Sequence, residues 1–221
     1  MELLIKSSLI IHIAAGVTAL LVAPVAMAVK KGGRAHSRWG LIFFWAMTVI
    51  FVTALFLSTI KWIPFLLMIA VFSYYSVFSA YRWKFLKRLY NGKDKLRWFD
   101  WAALVINGLF NIAFMSWGLY LILNGSESAF PYLALGFGFF GFRISYGNYK
   151  LFTSPHESTT WFFEHLGGMV GGFIATLTAF SAQTMIFLPD FIQWAWPSMV
   201  GVPLISYWSR FYKKKFKTST T

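Results

Sequence analysis

Long apolar runs alternate with short polar connections along the chain, and this pattern predicts seven membrane-spanning helices. A helix needs about 20 mainly apolar residues to cross the hydrocarbon core of a bilayer. The predicted spans cover residues 8–29, 39–60, 62–81, 99–123, 131–149, 160–188 and 194–208. We therefore predict an all-α fold, a polytopic membrane protein in which residues 1–221 form one integral membrane domain, a seven-transmembrane-helix bundle.

Basic residues are concentrated on one side of this predicted bundle. Every lysine and arginine except Lys6 and Lys61 lies at the first, third or fifth connection or in the C-terminal tail. Lysine and arginine are enriched in the cytoplasmic connections of membrane proteins. The charge pattern thus predicts an N-terminus outside the membrane, a C-terminus in the cytoplasm and an odd number of spans.

The composition indicates that lipid is the solvent of most of the chain. Only 12% of the residues are charged and 58% are hydrophobic, whereas soluble domains carry about 25% charged residues. The basic connections account for the net charge of +13. The predicted partners are therefore the lipid bilayer and anionic lipid headgroups on the cytoplasmic face, with no nucleic acid. The chain has no cysteine, which excludes disulfides, thiolate metal sites and iron–sulfur clusters.

The most suggestive residues for chemistry are two histidines on the predicted cytoplasmic side. The sixth span begins with Glu164 and His165, and Gly168 and Gly172 lie on roughly the same helical face as His165. A face of small residues lets a neighbouring helix or a flat ligand approach the backbone closely. His36 precedes the second span on the same side of the membrane. We therefore predict a metal or haem site at His36 and His165.

Three more residues are candidates for additional ligands of this site: His156, Glu164 and His12. His156 lies in the loop before the sixth span, and Glu164 precedes His165 directly. His12 lies near the opposite side of the membrane. With a rise of 1.5 Å per residue, it differs in depth from His165 by roughly 20 Å if both helices are straight.

The sequence leaves open what kind of site the histidines form. Two imidazoles can ligate the iron of a b-type haem, whose potential the protein then tunes. Together with a carboxylate they can hold a divalent metal such as zinc, although no HExxH sequence is present. The ionisable residues can also bind a proton, an ion or a substrate in a carrier. The remaining interpretation is that both histidines only satisfy backbone groups at helix ends.

A second group of polar residues is predicted in the core of the bundle: His12, Asn107, Asn111, Arg143 and Asp100. Asn107 and Asn111 share a face of the fourth span and are expected to hydrogen-bond across the bundle, for example to His12. An arginine at the position of Arg143 needs a partner in the bundle interior or a water-filled cavity. Asp100 or Glu164 is the expected counter-charge.

Two overlapping glycine pairs in the sixth span, Gly167/Gly171 and Gly168/Gly172, have the small-xxx-small spacing of closely packed helices. We expect these glycines to pack against other helices of the same chain. A homo-oligomer or a membrane protein partner is the alternative use of such a face.

Several stretches resemble a known family: HIAAGVTALLVAPVAMAVKKGGRAHSRWGLIFFWAM, FSYYSVFSAYRW, the pair Asp100–Trp101, and HLGGMVGGFIATLTAF. Together they are similar to predicted bacterial multi-pass membrane proteins classed as a domain of unknown function. The resemblance implies a multi-pass protein and names no activity or ligand. Where the family pattern has a carboxylate in the fifth span, this chain reads FRISYGNYKLF and has none.

We favour a haem- or metal-binding redox protein of the bacterial inner membrane. The alternative is a small-molecule or lipid-related carrier, or a structural partner subunit of a membrane complex. The sequence does not decide whether the protein is an enzyme.

Overall fold

The protein is built from α-helices joined by short connections. The computed structural model describes residues 1–128 and 130–218. Its helices are α1 (Glu2–Ala28), α2 (Arg34–Ile60), α3 (Pro64–Trp83), α4 (Trp98–Leu123), α5 (Phe130–Thr153), α6 (Thr160–Thr184) and α7 (Asp190–Thr218), with a 3-10 turn at Leu89–Asn91. The predicted all-α fold class is confirmed for the described residues.

Several helices differ in length from the predicted apolar spans. α1 begins at Glu2, before predicted residue 8, and α7 covers 190–218 where the apolar run covers only 194–208. α6 ends at Thr184, before predicted residue 188, because the chain turns between Met185 and Leu188. Hydropathy marks the part of a helix that suits hydrocarbon, whereas backbone hydrogen bonding continues into polar flanking residues.

Five of the described helices are long and apolar enough to cross a membrane: α1, α2, α3, α4 and α6. α5 and α7 fall outside this group. α5 carries Arg143 and Lys150, and α7 carries Pro197, Pro203 and a basic last turn. The five apolar helices fit a multi-pass membrane protein.

The distribution of polar and apolar residues in α4 indicates that its outer face contacts lipid. Asn107 and Asn111 are buried in the protein, whereas Ile106 and Leu109 are each 63% exposed. A water-soluble helix has the opposite arrangement, with its apolar stripe buried and its polar face exposed. Large apolar side chains on the outside and amides on the inside are typical of a helix whose outer face contacts lipid.

α3 is the central helix of the bundle. It packs against α2, α4, α5 and α6, while α1 pairs with α2, α4 with α5, and α6 with α7. The α1–α2, α3–α4 and α5–α6 connections and the last turns of α7 lie at one end of the bundle, which we call the basic end. Ring contacts of Phe162 with Tyr212 and of Trp83 with His156 join these segments there.

Glycine allows α3 and α6 to pack closely. A Cβ atom on Gly168 would lie 2.6 Å from both the Ala80 Cβ and the Ser76 carbonyl oxygen, and one on Gly172 would overlap Val77. By contrast, a Cβ on Gly167 or Gly171 would meet nothing within 4 Å. The Gly168/Gly172 pair therefore packs within the chain, against α3.

We predict that Gly168→Ala destabilises the protein by about 1–3 kcal/mol, because the backbone oxygen of Ser76 cannot move aside as a side chain would. The neighbouring Gly167→Ala is the matched control, and its better helix propensity should leave stability unchanged or slightly raised. Unfolding of both variants in the same detergent measures the difference. Equal stabilities would contradict the close α3–α6 packing.

α4 and α5 are joined by buried amides. The Asn107 Nδ2 donates to the Gly141 carbonyl at 3.1 Å and to the Ser145 Oγ at 2.8 Å, and the Asn111 Nδ2 donates to the Asn107 carbonyl at 2.7 Å. The Asn111 Oδ1 is buried without a hydrogen-bond donor among the described groups. Gly141 makes room for the Asn111 amide, since a Cβ there would overlap it.

Candidate functional site

His36 and His165 lie together at the basic end of the bundle. His36 is in the first turn of α2 and His165 in the second turn of α6. Their ring centroids are 6.1 Å apart, and the ring planes make an angle of 75°. The structure thus brings together the two histidines at which the sequence predicts a metal or haem site.

Each imidazole is held by a backbone carbonyl at the end of another helix. The His36 Nδ1 is 2.9 Å from the Ala26 oxygen, and the His165 Nδ1 is 2.9 Å from the Ala80 oxygen. Ala26 and Ala80 lie in the last turns of α1 and α3, where helix carbonyls lack an intrahelical partner. A carbonyl only accepts hydrogen bonds, so Nδ1 carries the proton in both rings and Nε2 keeps its lone pair when the ring is neutral.

This geometry has two explanations. Both histidines satisfy helix C-terminal carbonyls, which is a structural role in itself. Metal-binding histidines, however, also commonly donate their second ring N–H to a backbone carbonyl, which fixes the tautomer and the ring orientation. Carbonyl anchoring therefore holds both rings in the tautomer that metal-binding histidines use.

Both rings line a cavity of about 210 Å³ between α1, α2, α3, α6 and α7. Its walls are mainly aliphatic and aromatic, with Phe43, Met169 and Phe173 among the lining residues. Ala23, Ala26, Gly32 and Gly40 are small residues of the same lining. Gly168 and Gly172, the glycines expected to give a flat ligand room, pack against α3 and do not line the cavity.

Three lysines, Lys31, Lys84 and Lys87, also line the cavity. Each ammonium lies over an aromatic ring of the lining: Lys31 over Trp208 at 5.5 Å, Lys84 over Tyr81 at 4.2 Å, and Lys87 over Trp161 at 4.4 Å. Lys84 and Lys87 follow the end of α3, the helix whose Ala80 carbonyl accepts the His165 N–H. No aspartate or glutamate of the described chain lines the cavity.

Lys31 and His36 share a backbone acceptor. The Lys31 ammonium donates to the Met27 carbonyl and lies 3.5 Å from the Ala26 carbonyl, which also accepts the His36 N–H. Burial lowers the pKa of Lys31, because the loop between α1 and α2 takes the ammonium partly out of water. The lysine beside His36 therefore forms part of the cavity wall.

The other candidate ligands lie elsewhere. Glu164 does not line the cavity, although it directly precedes His165. His156 packs edge-on against Trp83 at 5.8 Å, and the His12 Nδ1 is 2.8 Å from the Thr53 Oγ1 on α2. Among the described residues, no three histidine, aspartate or glutamate side chains are placed to hold one metal ion.

The predicted polar core divides into separate groups. Asn107 and Asn111 bond to each other and to α5, and α1, which carries His12, does not pack against α4 in the described chain. Asp100 pairs with Arg82, with N–O distances of 2.6 and 2.9 Å, and not with Arg143. Arg143 is exposed on α5 and has no carboxylate within 4 Å among the described residues.

Sequence reasoning treated Arg82 as a topology signal and missed this pairing. The usable signal is that Arg82 follows Tyr75 and Ser79 at helical spacing, so these three residues share a face. The Arg82 guanidinium also lies 4.7 Å from the Phe99 ring centroid. The pair closes the interior of the bundle near the start of α4.

Comparisons with known proteins returned no matching family model, no matching curated protein sequence and no matching solved structure. The resemblance to bacterial membrane proteins of unknown function stays a prediction. Function is therefore argued from the geometry of the site.

The residues of the cavity fit a haem better than a zinc ion. Zinc sites generally take three or four protein ligands, and the cavity offers two imidazoles without a carboxylate. A porphyrin supplies four nitrogens to its iron itself, so His36 and His165 would be enough protein ligands to hold it.

Proposed function

We propose that the protein is a seven-span protein of the bacterial inner membrane with its C-terminus in the cytoplasm. In this proposal α5 and α7 complete the bundle although they are less apolar than the other helices. The basic connections support this orientation, because positively charged connections are retained in the cytoplasm. The basic end, with His36 and His165, then faces the cytoplasm.

A reporter fused after Thr221 tests this orientation. We expect cytoplasmic reporter activity from this fusion, and periplasmic activity from one placed in the α4–α5 connection, which lies at the opposite end. Periplasmic activity of the C-terminal fusion would contradict the orientation and would move the histidine pair to the other face.

We further propose that the protein binds a b-type haem as a redox centre, which His36 and His165 would hold. The observation that supports this function is a pair of carbonyl-anchored imidazoles that line one cavity, with their ring centroids 6.1 Å apart. When bound, a haem would supply one-electron redox chemistry. The carbonyls of Ala26 and Ala80 keep each Nδ1 protonated and thereby leave each Nε2 available as a ligand.

The cavity walls contribute to this function. Phe43, Met169 and Phe173 provide an apolar surface, which limits the access of water. Apolar burial and hydrogen bonds to axial ligands are two of the means by which a protein sets the potential of a haem. Ala26 belongs to α1 and Ala80 to α3, so the positions of these two helices in the bundle determine where each imidazole is held.

The visible spectrum of the purified protein, from cells supplied with haem precursor, tests the proposal. We expect a Soret band and reduced-state bands of a haem with two nitrogen ligands. His36→Ala and His165→Ala should each reduce haem per chain by tenfold or more, roughly the effect of losing one strong interaction. His156→Ala, which removes a histidine outside the cavity, is the matched control. A colourless, iron-free wild-type protein would contradict the function.

A further inference from the structure

The lysines of the cavity indicate that its ligand carries negative charge. Lys31, Lys84 and Lys87 contribute three positive charges to one lining, and no described acidic side chain lies within 4 Å of any of them. Like charges at a partly desolvated site repel one another and are stabilised by a bound anion. The protein itself does not provide that anion among the described residues.

The positions of the lysines relative to the histidines are also informative. Lys31 lies beside His36, because both donate to the Ala26 carbonyl. Lys84 and Lys87 follow the end of α3, close in sequence to Ala80, whose carbonyl accepts the His165 N–H. Basic groups thus accompany each imidazole, and all three ammonium groups are supported by aromatic rings of the cavity.

We infer that the cavity binds an acidic porphyrin, and that Lys31, Lys84 and Lys87 hold its carboxylates at the basic end of the bundle. This inference rests on the proposed haem site and adds the residues that bind the carboxylates of the ligand. The apolar walls receive the macrocycle, the imidazoles lie in the same cavity, and the ammonium groups form charge-assisted hydrogen bonds with the carboxylates. A lysine lying over an aromatic ring still has N–H donors free for such bonds.

Lysines at a membrane surface also bind lipid phosphates, so the controls must separate the two sources of negative charge. The basic residues outside the cavity provide that control. Lys30, Lys93 and Lys95 lie in the same connections, are exposed and do not line the cavity. They carry the same charge as the three cavity lysines and differ from them in position.

The experiment is a binding titration of the full-length apo-protein in neutral detergent with haem b and with its dimethyl ester, followed by Soret absorbance. The ester keeps the iron and the macrocycle and lacks the two carboxylates. We expect wild type to bind haem roughly ten- to hundredfold more tightly than the ester, the effect of losing one or more charge-assisted hydrogen bonds. A triple variant, Lys31→Gln with Lys84→Gln and Lys87→Gln, should lose this preference while its affinity for the ester stays unchanged.

The outcomes separate this inference from the function on which it rests. Equal affinities of wild type for haem and ester would overturn the role of the lysines and leave the histidine site intact. The same loss of preference in a triple variant of Lys30, Lys93 and Lys95 would also overturn it, because general surface charge would then explain the effect. Failure of wild type to bind either compound would overturn both proposals.

Anionic lipid provides the last arm of the test. Phosphatidylglycerol added to the titration should weaken haem binding to wild type little or not at all. If it competes with haem on wild type and not on the triple lysine variant, the lysines bind lipid phosphate and the inference is wrong.

Discussion

Replacing Asp100 by alanine is expected to lower the free energy of unfolding by about 3–5 kcal/mol, the usual cost of removing one partner of a buried ion pair. The Asp100 side chain is 1% exposed and that of Arg82 is 14% exposed. The carboxylate accepts two hydrogen bonds from the guanidinium and one from the Arg97 backbone N–H at 2.8 Å. Without Asp100, the charge of Arg82 remains buried against the Phe99 ring, and the start of α4 loses its cap.

An exposed ion pair in the same connection gives the matched control. Arg88 and Asp94 also form an arginine–aspartate pair, at 3.0 Å, but their side chains are 64% and 16% exposed, more than those of Arg82 and Asp100. Asp94→Ala should shift the unfolding transition far less, because exposed ion pairs contribute little. The Arg82→Ala/Asp100→Ala double variant should be less destabilised than the sum of the two single changes, since it leaves no unpaired charge. Equal effects of Asp100→Ala and Asp94→Ala in detergent would contradict the burial of the pair.

Filling the cavity with a leucine at position 40 is expected to prevent most haem binding at the proposed site and to leave the fold intact. Gly40 lies on α2, four residues after His36, and lines the cavity; a Cβ atom there meets nothing within 4 Å. A larger side chain at this position is therefore expected to extend into the space that the ligand would use. We expect haem per chain to fall by roughly tenfold or more, which corresponds to about 1.4 kcal/mol or more of lost binding free energy.

Gly147→Leu is the control for this change. Gly147 lies on α5, outside the cavity lining, and a Cβ there also meets nothing within 4 Å. Both variants replace a helix-interior glycine by a better helix former, so neither should lower the unfolding midpoint. Haem content is measured as pyridine haemochrome per chain. A Gly40→Leu protein with full haem content and an unchanged spectrum would show that this cavity is not the binding site.

The sequence was sufficient for those features that depend on position along a helix. Apolar runs and their polar breaks predicted an all-α chain, and the placement of charges assigned His36 and His165 to one end of the bundle. Residues at the same end of neighbouring helices can meet, and these two do so at 6.1 Å. His12, placed by the same reasoning at the other end, bonds to Thr53 instead.

Features that depend on the rotation of a helix about its axis were harder to predict. Glu164 and His165 are adjacent in sequence, but successive residues of an α-helix point about 100° apart, and only His165 lines the cavity. Arg143 was expected inside the bundle. The buried residues Gly141, Ser145 and Asn148 define the inner face of α5, and Arg143 lies off that face. Their spacing of four and three residues was readable in the sequence and would have placed Arg143 outside.

The use of the glycines could not be predicted from spacing alone. Gly168 and Gly172 could serve either a flat ligand or a neighbouring helix, because a small face suits both. Their close approach to Ala80 and Val77 assigns them to the neighbouring helix. The small residues that line the cavity come instead from α1, α2 and the loop between them, including Ala23, Gly32 and Gly40.

Pulsed electron paramagnetic resonance on the oxidised protein, purified from cells given nitrogen-15 histidine, directly measures whether the imidazoles of His36 and His165 bind one iron. We predict couplings from two histidine nitrogens in wild type and from one in whichever single variant, His36→Ala or His165→Ala, retains some haem. Two couplings in the single variants, or none in a haem-containing wild type, would contradict the account.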